Sequence, residues 1–199
     1  MRVLGIYCSP RKKGNTDIMM EEFLRGAKDG GAEVRELFAR DLKIGPCIAC
    51  DRCIELGRCF QRDDYDLVDE EMDKAGIVAL ATPVHFYSVS THAKILMDRV
   101  QAQWNQKYVV KDEKYVSRPE RTGVLIALGA TKGAQLFDGL RLSVKYFFDA
   151  VNIKIKHEIL VRGVDNKGDI MDHPDLLRQA YNLGKSLSQP DDSRARTSS

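Results

Sequence analysis

Net charge is almost absent: Lys and Arg total 31 against 29 Asp and Glu, a formal +2 over 199 residues. A surface built to follow a nucleic-acid backbone carries a clear cationic excess, so nucleic acid is excluded as the main partner. Long hydrophobic runs are also missing. The longest apolar stretch, around Ile77–Ala81, falls far short of the roughly 18 residues a membrane helix needs, which excludes a membrane. The opening residues, Met1 to Tyr7, lack the apolar core and cleavage site of a secretory signal, so a cytoplasmic protein is expected. Histidine is sparse, and His92, His157 and His173 stand apart without metal-ligand spacing. Cysteine is present but unsuited to a disulfide framework, because five is an odd count in a chain without an export signal. Cys8 stands alone, whereas Cys47, Cys50, Cys53 and Cys59 are crowded together.

Apolar runs alternate with helical stripes along most of the chain. Buried strands are expected at Val3–Tyr7, Ile77–Thr82 and Thr122–Leu128, with further strands at Glu33–Phe38 and Ile153–Val161. Helical spacing covers Thr16–Lys28, Asp63–Lys74, Thr91–Gln103, Ala134–Ala150 and Pro174–Leu187, the last with proline in its first turn. Trp104–Glu120 reads as a polar loop insertion, either solvated or at an interface. Residues 188–199 lack large apolar residues and read as a disordered tail. Strands alternating with helices imply a parallel sheet covered on both faces. Five such strands predict a flavodoxin-like, doubly wound α/β fold over residues 1–187, a single domain with its ligands beyond the carboxyl ends of the strands.

Two loops at those ends invite a ligand. Ser9-Pro10-Arg11-Lys12-Lys13-Gly14-Asn15-Thr16 joins the first strand to the first helix. Amides at a helix start have no partner within the helix and sit at its positive dipole end, so they form an anion cradle. Ser9, Asn15 and Thr16 add short polar groups, and Arg11, Lys12 and Lys13 supply charge for one phosphate. The loop lacks a Gly-Lys-Ser/Thr ending, and no Gly-x-Gly-x-x-Gly occurs in the chain. Thr82-Pro83-Val84-His85-Phe86-Tyr87-Ser88 leaves the third strand at the same edge, where Phe86 and Tyr87 would lie against a flat ring. His85 is either a hydrogen-bond partner or proton donor to that ring, or a plain polar loop residue. A phosphate at one strand end and an aromatic slot at the next describe a mononucleotide, and a flavin suits the fold. Gly129–Gly133 either closes the site or is a plain turn.

The cysteines make a second site. Cys47-Ile48-Ala49-Cys50-Asp51-Arg52-Cys53 sets thiols three residues apart, and Cys59 follows Gly57. Consecutive C-x-x-C steps wrap one face of an inorganic core, and a nearby fourth thiolate completes the set for a 4Fe-4S cluster in loop 45–60. Structural zinc also takes four cysteines, though usually as two separated pairs, and a redox disulfide is the third reading. Cys8 is most simply a small buried hydrophobe.

The Ser9–Thr16 loop, the Thr82–Ser88 stretch and Asp98-Arg99 resemble the NADPH-dependent FMN reductase superfamily, and the compact cysteine set resembles its iron–sulfur flavoprotein branch. That resemblance implies FMN held by Ser9, Arg11, Asn15, Thr16 and Pro83, Val84, His85, Phe86, Tyr87, Ser88, and one 4Fe-4S cluster on Cys47, Cys50, Cys53 and Cys59. It further implies a homodimer or dimer of dimers receiving electrons from a ferredoxin-like donor. No nucleophile or acid–base residue is needed for electron transfer between the two centres. A cluster of one subunit facing a flavin of another is the arrangement expected. Cys8 and His85 depart from the branch, where many relatives carry serine or glycine and tyrosine. The alternatives are an NAD(P)H-dependent flavin or quinone reductase with a structural metal site, and a non-enzymatic redox sensor.

Overall fold

The apolar runs become five parallel strands in the computed structural model, which describes residues 1–189. These are β1 (Arg2–Tyr7), β2 (Glu33–Phe38), β3 (Ile77–Pro83), β4 (Arg121–Gly129) and β5 (Ile153–Arg162), in the order β2-β1-β3-β4-β5. That is the flavodoxin-like order, with its switch point between β1 and β3. Successive side chains of a strand face opposite ways, so Leu4 and Ile6 enter one core and Val3 and Tyr7 the other.

Helices α1 (Asn15–Asp29) and α8 (Pro174–Ser188) cover the second core, and α3 (Tyr65–Lys74), α4 (Thr91–Arg99) and α7 (Asp138–Ala150) cover the first. Backbones of α1 and α8 touch. A Cβ at Gly26 would lie 1.9 Å from the Tyr181 carbonyl, and one at Gly184 would lie 1.9 Å from that of Phe23. No helix of the described residues is long and apolar enough to cross a membrane.

Several boundaries differ from the sequence expectation. The fourth expected helix starts at Asp138 rather than Ala134, because Leu136 and Phe137 enter the core from a turn. Ser188, expected in the tail, is the last residue of α8, while 190–199 lie outside the described residues. The helix expected over Thr91–Gln103 divides at Val100 into α4 and α5 (Gln101–Trp104). Trp104–Glu120 is largely helical rather than a loop. A π-helical turn spans Asn105–Val110, and α6 (Glu113–Val116) follows. Its buried residues Asn105 and Gln106 are polar because they bond to the cysteine segment, so no apolar stripe marks them in the sequence. That segment itself carries one short helix, α2 (Arg52–Leu56).

Candidate functional site

A cleft of about 170 Å³ opens where the carboxyl ends of β1, β3, β4 and β5 converge. One wall is the first loop, with Ser9 and Thr16 buried and Gly14 at the helix start, where a Cβ would press the Arg11 carbonyl at 3.0 Å. The loop is held from behind. Asp17 accepts from the Lys13 amide at 2.9 Å and pairs with Arg40 at 2.9 Å, both side chains almost wholly buried. Arg40 also donates to the Ser9 carbonyl at 3.1 Å. Its guanidinium offsets a carboxylate that would otherwise repel an anion at this helix start. Sequence reasoning missed this pair, since nothing in the spacing of Asp17 and Arg40 announces it.

Two of the loop's three cations are occupied elsewhere. Lys12 pairs with Asp41 at 2.9 Å, and Arg11 donates to the Asp165 carbonyl at 2.9 Å. Asn15 lines the cleft, but its amide donates to the Asn166 carbonyl at 2.7 Å and accepts from the Gly168 amide at 2.8 Å. Arg11 and Asn15 thus shape the far wall, which is formed by the loop after β5 with Val164, Asp165 and Lys167. That loop was also missed, although left-handed Gly163 and Gly168 bracket it and it lies at a strand end.

On the other side stand Pro83, Val84 and His85, with Leu128, Gly129 and Ala130 of the β4 end beside them. Phe86 and Tyr87 do not line the cleft. Both have φ in the left-handed range, +49° and +61°, and His85 and Ser88 exchange two backbone hydrogen bonds at 2.9 Å across them. This is the tight two-residue turn that needs positive φ at both central positions. Phe86 is therefore thrust fully into solvent, and the Tyr87 hydroxyl reaches toward Gly133. Ser88 serves the turn. Cys8 is wholly buried at the end of β1, where burial pushes its thiol pKa up, and its carbonyl accepts from Ser90.

All four clustered cysteines line a second hollow, together with Ile48, Phe60, Arg99 and Ala102. Ala49 and Asp51 take left-handed φ of +52° and +57°, which reverses the backbone between successive thiols. Strained positions of this kind persist only where the surroundings impose them. Arg99 clasps the segment at both ends. It donates to the Gly45 carbonyl at 2.9 Å on one side, and to Asp63 at 2.6 Å and the Gln61 carbonyl at 3.4 Å on the other. Burial opposes the Arg99 charge, but Asp63 and the Cys59 thiol hold its pKa above the ordinary value. Its Nε is buried without a protein partner. From the π-helical turn, Asn105 donates to Cys53 Sγ at 3.1 Å, and Gln106 donates to the Cys53 carbonyl at 2.8 Å.

Among the described residues, no three His, Cys, Asp or Glu side chains close on a point that would hold a single metal ion. Tetrahedral zinc draws its sulfurs to within about 4 Å of one another, whereas a cubane cluster carries each cysteine on a different iron and spreads them more widely. Four thiols around one shared hollow, with amide and guanidinium donors behind them, are a donor set suited to a thiophilic metal or an iron–sulfur cluster. A third, more open groove of about 1100 Å³ runs along β5 and α7. It lies away from the strand ends, its charges include the Arg141–Glu158 pair, and it gathers none of the candidate residues.

Residues 1–154 match the family described as NADPH-dependent FMN reductase. An iron–sulfur flavoprotein of Methanocaldococcus jannaschii is 34% identical over 148 residues, covering 74% of this chain and 71% of that protein. A second from the same organism is 39% identical over 99 residues, covering 50% and 51%. The chain spans about half the length of the curated relatives it first matches. Among solved structures, the NAD(P)H:quinone oxidoreductase from Methanothermobacter marburgensis superposes with a TM-score of 0.73 at 17% identity, over 96% of this chain and 98% of that one.

Proposed function

The chain belongs to the NADPH-dependent FMN reductase family and, within it, to the iron–sulfur flavoproteins, and from that membership we propose that it relays electrons between a one-electron donor, a 4Fe-4S cluster and FMN. The observation that carries this reading is the pairing of two built sites: a strand-end cleft beside a helix start, and a hollow lined by four cysteines. Ser9, Thr16 and the first-turn amides of α1 would hold the FMN phosphate, while Pro83, Val84 and His85 would flank the ring. Cys47, Cys50, Cys53 and Cys59 would hold the cluster. When bound, a cluster passes single electrons and FMN stores one or two, so the pair joins one-electron to two-electron carriers.

The residues of the chain supply position and environment, and no acid–base group is required. Exposed Ile48 lines the cysteine hollow, and exposed Leu56 and Trp104 end the adjoining helices α2 and α5, which supports a partner contact there. We assign that contact to another copy of the chain, in a homodimer or dimer of dimers, so that a cluster faces a neighbouring flavin. We infer a cytoplasmic location, because crowded cysteines meant to hold an inorganic centre suit a reducing compartment. The donor we assign is a ferredoxin-like protein.

Anaerobic mixing tests the donor. Reduced ferredoxin should bleach the flavin within a turnover, and NADPH should bleach it far more slowly. The family match favours one competing reading, an NAD(P)H-dependent FMN or quinone reductase. Fast bleaching by NADPH with none by ferredoxin would establish that reading instead.

A further inference from the structure

Behind the cysteines stand two buried donors, Asn105 and Arg99. Asn105 is buried, and its Nδ2 donates to Cys53 Sγ at 3.1 Å. The amide cannot flip without loss, because its Oδ1 accepts from Gln101 Nε2 at 3.2 Å. Gln106, the next residue, bonds the Cys53 and Ile54 carbonyls at 2.8 and 3.2 Å, which fixes the distance between the π-helical turn and that thiol. Arg99 lines the same hollow beside Cys59, with its whole side chain out of solvent and its Nε unpartnered.

We propose that Asn105 and Arg99 set the electron affinity of the cysteine site, Asn105 through a hydrogen bond to the Cys53 sulfur and Arg99 through a fixed positive charge beside Cys59. The inference rests on the cluster reading above. Each electron that arrives at a thiolate-bound iron–sulfur core from the one-electron donor adds one unit of negative charge, with no bond broken. A donor aimed at a ligand sulfur and a nearby cation stabilise the more negative state, so both raise the reduction potential. Pairing to Asp63 reduces the field of Arg99 without cancelling it, since the Asp63 charge is shared with the Gly45 and Tyr65 amides.

Asn105 is the cleaner test, since Arg99 also closes the loop. Asn105→Leu keeps the shape and removes the donor; Asn105→Asp keeps the shape and places an acceptor by the sulfur. Iron and acid-labile sulfide are measured first, then the potential by EPR-monitored titration. The leucine variant should keep its cluster and lose about tenfold in electron affinity, a fall of about 59 mV for a one-electron couple, with the aspartate variant lower still. Wild-type potentials in both cluster-loaded variants would overturn the assignment. Loss of the cluster from both variants would overturn it too, in favour of a structural role. Absence of iron and sulfide from the wild-type chain would instead refute the cluster reading, and this inference with it.

Discussion

Replacing Arg99 with methionine removes the clasp while keeping a side chain of comparable reach. Three bonds are lost: 2.6 Å to Asp63, 2.9 Å to the Gly45 carbonyl and 3.4 Å to the Gln61 carbonyl. Breaking a buried pair typically costs about 3–5 kcal/mol. Asp63 is 19% exposed and keeps the amides of Gly45 and Tyr65, which places the expected loss at the lower end, about 3 kcal/mol. Against a margin of roughly 5–15 kcal/mol, the sheet should survive while the cysteine segment loosens. Urea unfolding followed at Trp104, the one tryptophan of the chain, measures the first. Hydrogen exchange over residues 45–63 measures the second, and should accelerate there while β1 and β3 stay protected. Arg99→Lys keeps the charge but cannot bridge three acceptors at once, so it should fall between. Burial works against the Asp63 charge, but Arg99 and the two amides hold its carboxyl below the ordinary range. The contribution of the pair is therefore full above the ordinary carboxylate pKa of about 3.9 and lost as pH falls through the depressed value. A loss under about 1 kcal/mol with unchanged exchange in the segment would refute the clasp.

Other predictions follow from packing and burial. Gly184→Ala drives a methyl into the Phe23 carbonyl, so α1 and α8 must part, at an expected cost of about 2–3 kcal/mol read as a lower Tm; an unchanged Tm would deny the contact. Asp69 is raised by burial, which the Gln103 amide bonded to it at 2.6 Å only partly offsets. Its charge therefore destabilises the fold as pH rises above the ordinary carboxylate range, and Asp69→Asn should stabilise the protein at pH 7 but not at a pH where the carboxyl is protonated. Chemical unfolding at the two pH values checks this, and equal effects at both would contradict it. Cys50→Ser should lose iron, whereas Cys8→Ala should retain wild-type iron and lose about 1 kcal/mol of stability by urea unfolding; iron loss in the second would bring Cys8 into the ligand set.

The strands and the core were legible because the periodicity of buried strands and covering helices is written in apolar residues such as Leu4, Ile6, Val78 and Leu80. The gathering of four cysteines around one hollow was legible for a different reason, since they lie within a few residues of one another. What could not be read is held together by long-range polar contacts. Arg40 meets Asp17, Arg99 meets Gly45 and Asp63, and Asn105 meets Cys53, all between residues with no local pattern. Phe86 and Tyr87 were read from residue type alone, which does not reveal the turn that carries them. The aromatic rings matched a ring-binding slot, but the left-handed turn that carries them faces outward. Deficit of apolar residues in Asn105–Gln106 marked a loop in the sequence and a bonded platform in the fold.

Iron, acid-labile sulfide, zinc and FMN per chain, measured on anaerobically purified protein, test the central claim most directly. The account predicts iron and sulfide in equal amounts, about four of each for a cubane cluster, with one FMN and no zinc. Zinc without sulfide would contradict it.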